Sequence, residues 1–374
     1  MRHAVSALMG LPWLVPLPVN APLLPMLAKR VASIPAGDEW IFEPKWDGFR
    51  AIVFRDHDEI LIQSRDTKSL NRYFPELVET LRNGLPEQCV LDGEVVIVSE
   101  QGLDFDALQL RIHPAASRVK LLSQQMPASV VFFDLLCEGS EDLRGVPFEQ
   151  RRKRLESLLG SAAPPIHITP ATSDPSVALD WFSRFEGAGL DGVMAKPVSG
   201  TYQPDKRVML KVKHERDCDC VVAGFRWHKD AEGTAIGSLL LGLFNDAGEL
   251  QHVGVCASFT MDKRKELVSY LASYRENARE GHPWASWAAQ ESGETTQRMP
   301  GAQSRWSQGK DLSWELLRPE LVLEVAYEHM QGDRFRHMAQ FRRWRHDKTP
   351  KDCTYSQLEV VPPQELMEIF PTGR

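Results

Sequence analysis

No apolar run in the 374 residues approaches the roughly 18 that a membrane-spanning helix requires, and none is expected. The apolar start, Met1 to Ala21, has only Arg2 and His3 as a positive flank and is interrupted by Pro12, Pro16 and Pro18. It does not read as a secretory signal, so a cytoplasmic protein is expected. Cysteine is scarce. Six are spread along the chain, and Cys218-Asp-Cys220 has no second pair at zinc-finger spacing, which excludes a disulfide framework and leaves free thiols. An excess of positive charge is also missing: the net charge is −7, which argues against a uniformly basic nucleic-acid binder. There is no internal repeat and no Walker A loop. Gly187-Ala-Gly-Leu-Asp-Gly192 fits the dinucleotide pattern. However, a helical pattern precedes it and a strand-like one follows, the reverse of the order that turns helix N–H groups toward pyrophosphate. A Rossmann site is therefore excluded.

What is present is an ordinary globular composition, 43% hydrophobic and 25% charged, over a length that predicts two or three domains. From Trp40 to Lys213, apolar runs alternate with helical patterns. Strands are expected at Ala51–Phe54, Ile60–Gln63, Val90–Ile97, Val130–Leu136, Gly192–Lys196 and Val208–Val212, and helices at Phe74–Asn83, Phe148–Leu159 and Ser176–Glu186. This is a mixed α/β domain. The composition then shifts to short apolar runs at Asp219–Arg226, Gly237–Phe244, Gln251–Ser258 and Leu321–Tyr327. A helix capped by Thr260 and running to about Ala278 interrupts them, and Glu280–Gly309 reads as a loop. The expected linker lies near Lys213–Asp217, giving domains at 1–215 and 216–374.

Several short motifs carry chemistry. In Lys45-Trp-Asp-Gly48 the Asp-Gly pair forces a turn just after a strand end, which can hold an amine in a pocket as a nucleophile. Glu94 and Glu186 each adjoin a glycine, and two carboxylates at one pocket could hold a hard cation. Arg65 could fork onto a phosphate or a ribose. Lys211 and Lys213 alternate with Leu210 and Val212 and share one strand face, where an anion between them would relieve their repulsion. Between Arg334 and Lys348 lie five arginines and one lysine against a single acid, Asp347, a local basic face on an acidic chain. Singly, each motif has an ordinary alternative: a surface lysine beside a turn, solvated acids, a salt bridge, a polar strand face.

Their order carries more than any one of them. Glu43-Pro-Lys-Trp-Asp-Gly-Phe-Arg50, Ser64-Arg-Asp66, Leu91-Asp-Gly-Glu94, Phe132-Phe-Asp-Leu-Leu136, Glu186 to Lys196, Leu210-Lys-Val-Lys213 and the basic cluster together resemble the covalent nucleotidyltransferases. The nearest likeness is to the bacterial ATP-dependent DNA ligases of the LigC and LigD-ligase-domain type, over nearly the whole chain. The resemblance implies an α+β fold with an adenylyltransferase domain (ATP-grasp-like mixed α/β) followed by an OB-fold β-barrel. It implies an enzyme that seals nicks in duplex DNA through lysyl-AMP on Lys45, with ATP and Mg²⁺, or Mn²⁺ in its place. Glu43 would read the adenine amino group and Phe133 would lie against the ring. Arg50 and Arg65 would bind the nucleotide, and Glu94 and Glu186 would contact ribose or metal. Lys211 and Lys213 would meet the α-phosphate, while Arg343, Arg345 and Lys348 would orient pyrophosphate. Met338 and Gln340 depart from the last motif, where proline and arginine are usual. The short stretch before Lys45 predicts a two-domain core enzyme, a monomer with bacterial end-joining or base-excision repair proteins as partners and no membrane role. RNA ligases and GTP-using capping enzymes share the lysine chemistry. An inactive binding module does not suit a chain that retains Lys45, Glu94 and Glu186.

Overall fold

A computed structural model of the chain describes residues 17–99, 102–184, 189–288, 300 and 312–358. It divides into two compact units, one ending its main segment at Lys213 and the other starting at His214. Among the described residues no helix is long and apolar enough to cross a membrane.

In chain order the first unit contains β1 (Leu27–Val31), β2 (Trp40–Pro44), β3 (Phe49–Asp56), β4 (Glu59–Ser64), α1 (Pro75–Gly84), β5 (Gln88–Val96), α2 (Phe105–Leu110) and α3 (Ala116–Gln125). It continues with β6 (Ser129–Glu138), α4 (Phe148–Leu159), β7 (Ile166–Ile168), α5 (Pro175–Arg184), β8 (Val193–Pro197) and β9 (Arg207–Val212). The larger sheet has the order β7-β6-β5-β3-β4, and the smaller one β1-β9-β8-β2. Side chains of period two sort the faces. Leu91 and Val95 of β5 join Phe74, Leu77, Leu81, Phe132 and Leu155 in a core beneath the helices. Val90 instead joins Ile52, Phe54, Leu136 and, from the smaller sheet, Met209. Leu77 and Leu81 stand four apart on α1, whose first residue is Pro75. Burying each stabilises the fold by about 2 kcal/mol. On the second face of β3 and β5, in register, stand Arg50 opposite Glu94 and Ile52 opposite Asp92.

The second unit contains β10 (Arg216–Trp227), β11 (Ile236–Phe244), β12 (Leu250–Cys256), α6 (Met261–Arg275), α7 (Ala285–Ala288), β13 (Glu315–Tyr327) and β14 (Gln340–Trp344). They form an antiparallel sheet of order β12-β11-β10-β13-β14. The expected barrel is not closed among the described residues. Its edges approach where Ala339, just ahead of β14, bridges Cys256 of β12 and donates to the Val255 carbonyl at 2.9 Å. The helix after Thr260 ends earlier than expected, at Arg275, because Glu276 turns to an extended backbone (ψ 127°) and Asn277 follows it in a left-handed conformation (φ 52°). Part of the expected loop Glu280–Gly309 lies outside the described residues. Its start carries the short helix α7 and the fully buried Trp284, whose ring N–H donates to the Leu250 carbonyl at 2.7 Å.

Candidate active site

β2 delivers Lys45 at the first position past the strand, where two backbone bonds clamp it. Its N–H donates to the Gly192 carbonyl at 2.8 Å, and its carbonyl accepts from the Asp191 N–H at 2.9 Å. Gly192 has φ +129°, and a Cβ there would lie 2.0 Å from the Val212 carbonyl, so only glycine fits this close approach. The clamp brings Asp191 to the lysine side chain. Lys45 Nζ lies 2.5 Å from Asp191 Oδ2, and Lys213 Nζ lies 2.9 Å from the same oxygen. Burial alone would push the Asp191 carboxyl up. The charges of Lys45 and Lys213 outweigh it and hold the group well below the usual carboxylate range. Sequence reasoning passed over Asp191. The available signal was an acid-glycine pair just ahead of the strand Val193-Met-Ala-Lys196.

Glu94 faces the same lysine. It is largely buried, and burial pushes its carboxyl up to about 7, although Arg50, Lys45 and the Gly48 N–H all pull the other way. Gly48 serves a close approach here too, since a Cβ would meet the Val95 carbonyl at 2.2 Å and Glu94 Cγ at 2.9 Å. Arg50 is bound in a fork to the buried Asp92, both bonds 2.6 Å, and Asp92 also accepts from the Tyr202 hydroxyl at 2.7 Å. The guanidinium of Arg50 lies 4.6 Å from the centroid of the Phe133 ring, and Lys196 Nζ lies 4.5 Å from it.

Beside that ring is a second ionic group. Glu43 is 2% exposed, and its carboxylate accepts from Lys196 at 2.7 Å and from Arg152 at 3.2 Å. Burial lowers the Lys196 ammonium against the pull of Glu43 and Asp134. Lys211 stands in register with Met194, which is itself in register with Glu43, so the three share one face of the smaller sheet.

The first unit therefore carries Lys45, Glu43, Arg50, Glu94, Phe133, Lys211 and Lys213 together with Asp191, Lys196, Asp92 and Arg152. Arg65 is exposed on the turn after β4, with no hydrogen bond or ion pair from its side chain among the described residues. Glu186 lies outside the described residues. Among the described residues no three carboxylate, histidine or cysteine groups cluster as a metal cage. A magnesium site does not require one, because Mg²⁺ is often held by one or two carboxylates plus substrate phosphates. Glu94 fits such a cation, being a desolvated carboxylate incompletely compensated by its neighbours.

In the second unit, β14 and the turn after it carry Arg343, Arg345 and Lys348. Arg345 meets Asp219 at 3.1 Å, Glu324 at 3.0 Å and Asp347 at 2.8 Å, while Arg343 pairs with Glu324 at 2.9 Å. Lys348, Met338 and Gln340 are exposed. The basic cluster is thus partly neutralised by acids from β10 and β13, which its own sequence does not reveal.

The first unit thus holds a lysine backed by a carboxylate that it shares with a second lysine, and a buried aromatic ring with two cations over it. The model for the ATP dependent DNA ligase domain matches residues 25–213, and that for the ATP dependent DNA ligase C terminal region matches 232–348. DNA ligase C2 of Mycolicibacterium smegmatis is 53% identical over 92% of this chain and 97% of its own. DNA ligase C of Mycobacterium tuberculosis is 52% identical over 95% of this chain and 99% of its own. Among solved structures, a Lig E DNA ligase shares the fold, with a TM-score of 0.52 at 16% identity over 86% of this chain and 99% of that one. The chain belongs to the ATP-dependent DNA ligase family, enzymes that use ATP to seal nicks in DNA.

Proposed function

We propose that Lys45 is the nucleophile that takes AMP from ATP, and that the adenylate then passes to the 5′-phosphate of a nick in duplex DNA. The observation that carries this is the pairing of Lys45 and Lys213 with one oxygen of Asp191. Asp191 aims the amine. Held well below the usual carboxylate range, it is too weak a base to keep the proton Lys45 must lose, so that proton goes on to solvent. As the amine attacks, its nitrogen forms a bond to the α-phosphorus and the bond to pyrophosphate breaks. Lys213 and Lys211 supply fixed positive charge to the phosphoryl oxygens. Phe133 stacks on the base, Glu43 accepts from its amino group, and Arg50 holds the ribose side. Arg343, Arg345 and Lys348 orient the pyrophosphate. A divalent cation, Mg²⁺ or Mn²⁺, would be held by Glu94, with Glu186 as the second carboxylate, and would add Lewis-acid charge at the phosphate. The enzyme works as a monomer in the cytoplasm, in DNA repair.

The test is sealing of a singly nicked duplex with Mg²⁺, with Mn²⁺ and with chelator, beside the same nick in RNA. Sealing of DNA that needs ATP and either metal supports the reading. Sealing confined to RNA, or undiminished by chelator, contradicts it.

A further inference from the structure

Glu43 does not stand alone, and the group that fixes it comes from a part of the sequence with no motif. Arg152, on α4, is 7% exposed, and all three guanidinium nitrogens are engaged. One donates to Glu43 at 3.2 Å, one to the Thr169 carbonyl at 2.6 Å, and Nε to Glu156 at 2.6 Å. Thr169 is itself fixed. It is 1% exposed, its N–H donates to the Phe132 carbonyl at 2.9 Å, and its hydroxyl accepts from the Trp46 ring N–H at 2.8 Å. Two residues flanking the nucleophile and the base-stacking ring, Trp46 and Phe132, therefore hold the anchor of Arg152, and Arg152 holds Glu43.

We infer that Arg152 is a positioning residue for base selectivity, resting on the reading of Glu43 as the group that meets the base. A carboxylate between two cations accepts hydrogen bonds and donates none. It thus favours a base that offers an amino group over one that offers a carbonyl or a hydrogen at that position. Lys196 is a compact point charge and leaves the carboxylate free to turn. The Arg152 fork, pinned on Thr169, fixes the plane in which Glu43 presents its remaining lone pairs.

The experiment compares lysyl-adenylation by ATP with the same step by purine riboside triphosphate, which lacks the amino group, in wild type, Glu43→Gln, Arg152→Met and Arg152→Lys. Wild type prefers ATP, and Glu43→Gln loses that preference. Arg152→Met cuts the preference by about tenfold or more, the scale of a buried charge-assisted hydrogen bond, chiefly through KM for ATP. Arg152→Lys lies between. An unchanged preference in Arg152→Met with a lost one in Glu43→Gln overturns the role of Arg152 and leaves Glu43's. An unchanged preference in all three variants overturns both. If Arg152→Met does not fold, Arg152→Lys decides: a reduced preference supports the inference and a wild-type preference overturns it.

Discussion

The ammonium of Lys45 lies 2.5 Å from Oδ2 of Asp191, and that oxygen also carries Lys213 at 2.9 Å. One acid thus sets the position of Lys45, the proposed nucleophile, and of Lys213, the proposed phosphate-binding cation. Asp191→Asn keeps the shape and removes the charge. It leaves two ammonium groups in mutual repulsion, and a nucleophile displaced by about 1 Å costs about a hundredfold in rate. Single-turnover transfer of AMP to the protein is the measurement, and a loss of that order is the expected result. Asp191→Ala should also lower stability by about 3 kcal/mol in urea unfolding, because breaking a buried pair strands its partners.

Glu94 makes stability and activity depend on pH in opposite directions. Its carboxyl is raised from 4.5 to about 7 in the folded chain. Between those values the unfolded chain loses the proton while the folded one keeps it, so stability falls as pH rises through that window. The drop is complete above about pH 7 and amounts to at most about 3 kcal/mol. Glu94→Gln should flatten this part of a urea-unfolding profile measured from pH 4.5 to 8. Adenylation that uses the ionised carboxylate rises with pH through the same region, with an apparent midpoint near 7 in the absence of excess divalent cation.

Arg345 tests the division of labour between the units. Its three acidic partners, Asp219, Glu324 and Asp347, belong to the second unit, as it does. Arg345→Ala should slow AMP transfer from ATP by about tenfold or more, the scale of a lost charge-assisted contact to a leaving phosphate. Sealing of a nick that already carries 5′-AMP should continue at close to the wild-type rate. Comparing the two rates on one preparation is the check.

Asp134 and Arg151 are 1% and 0% exposed by side chain and are joined by a fork of 2.7 and 2.9 Å. The pair ties α4 to β6. Arg151→Met strands the Asp134 charge and should cost about 3–5 kcal/mol in urea unfolding. Asp134→Asn should cost less, because the amide still accepts one of the two bonds.

Much of this was legible because the fold places chemistry where simple patterns change. The strands at 51–54, 60–63, 90–97 and 130–136 have apolar runs long enough to show. α4 matches its expected span, Phe148–Leu159, residue for residue, because Phe148, Leu155 and Leu159 keep the helical period on its buried face. Other elements stayed hidden. β1 is only five residues long, and in β14, an edge strand, a bulge opposite Glu324 and Val325 spaces Phe341 and Trp344 three residues apart, which breaks the alternation that marks a strand. The sequence order of motifs led to Lys45, Glu43, Glu94 and Lys213, which local spacing could place on turns and strand ends. Asp191 and Arg152 required contacts across 146 and 109 residues of chain, and no local pattern encodes those. The barrel that the resemblance implied is not closed among the described residues, and whether two sheet edges meet along their length is not encoded in any one strand.

If Lys45 carries AMP, the protein takes up label from α-labelled ATP and loses that label when Lys45 is replaced. The direct measurement is transfer of label from α-labelled ATP to the protein with Mg²⁺, after stripping any resident AMP with pyrophosphate, for wild type and Lys45→Ala. An acid-labile, alkali-stable adduct on the wild type and none on Lys45→Ala is the predicted result, as a phosphoramidate requires. An adduct of equal yield on Lys45→Ala, or none on the wild type, would rule out Lys45 as the residue that carries AMP.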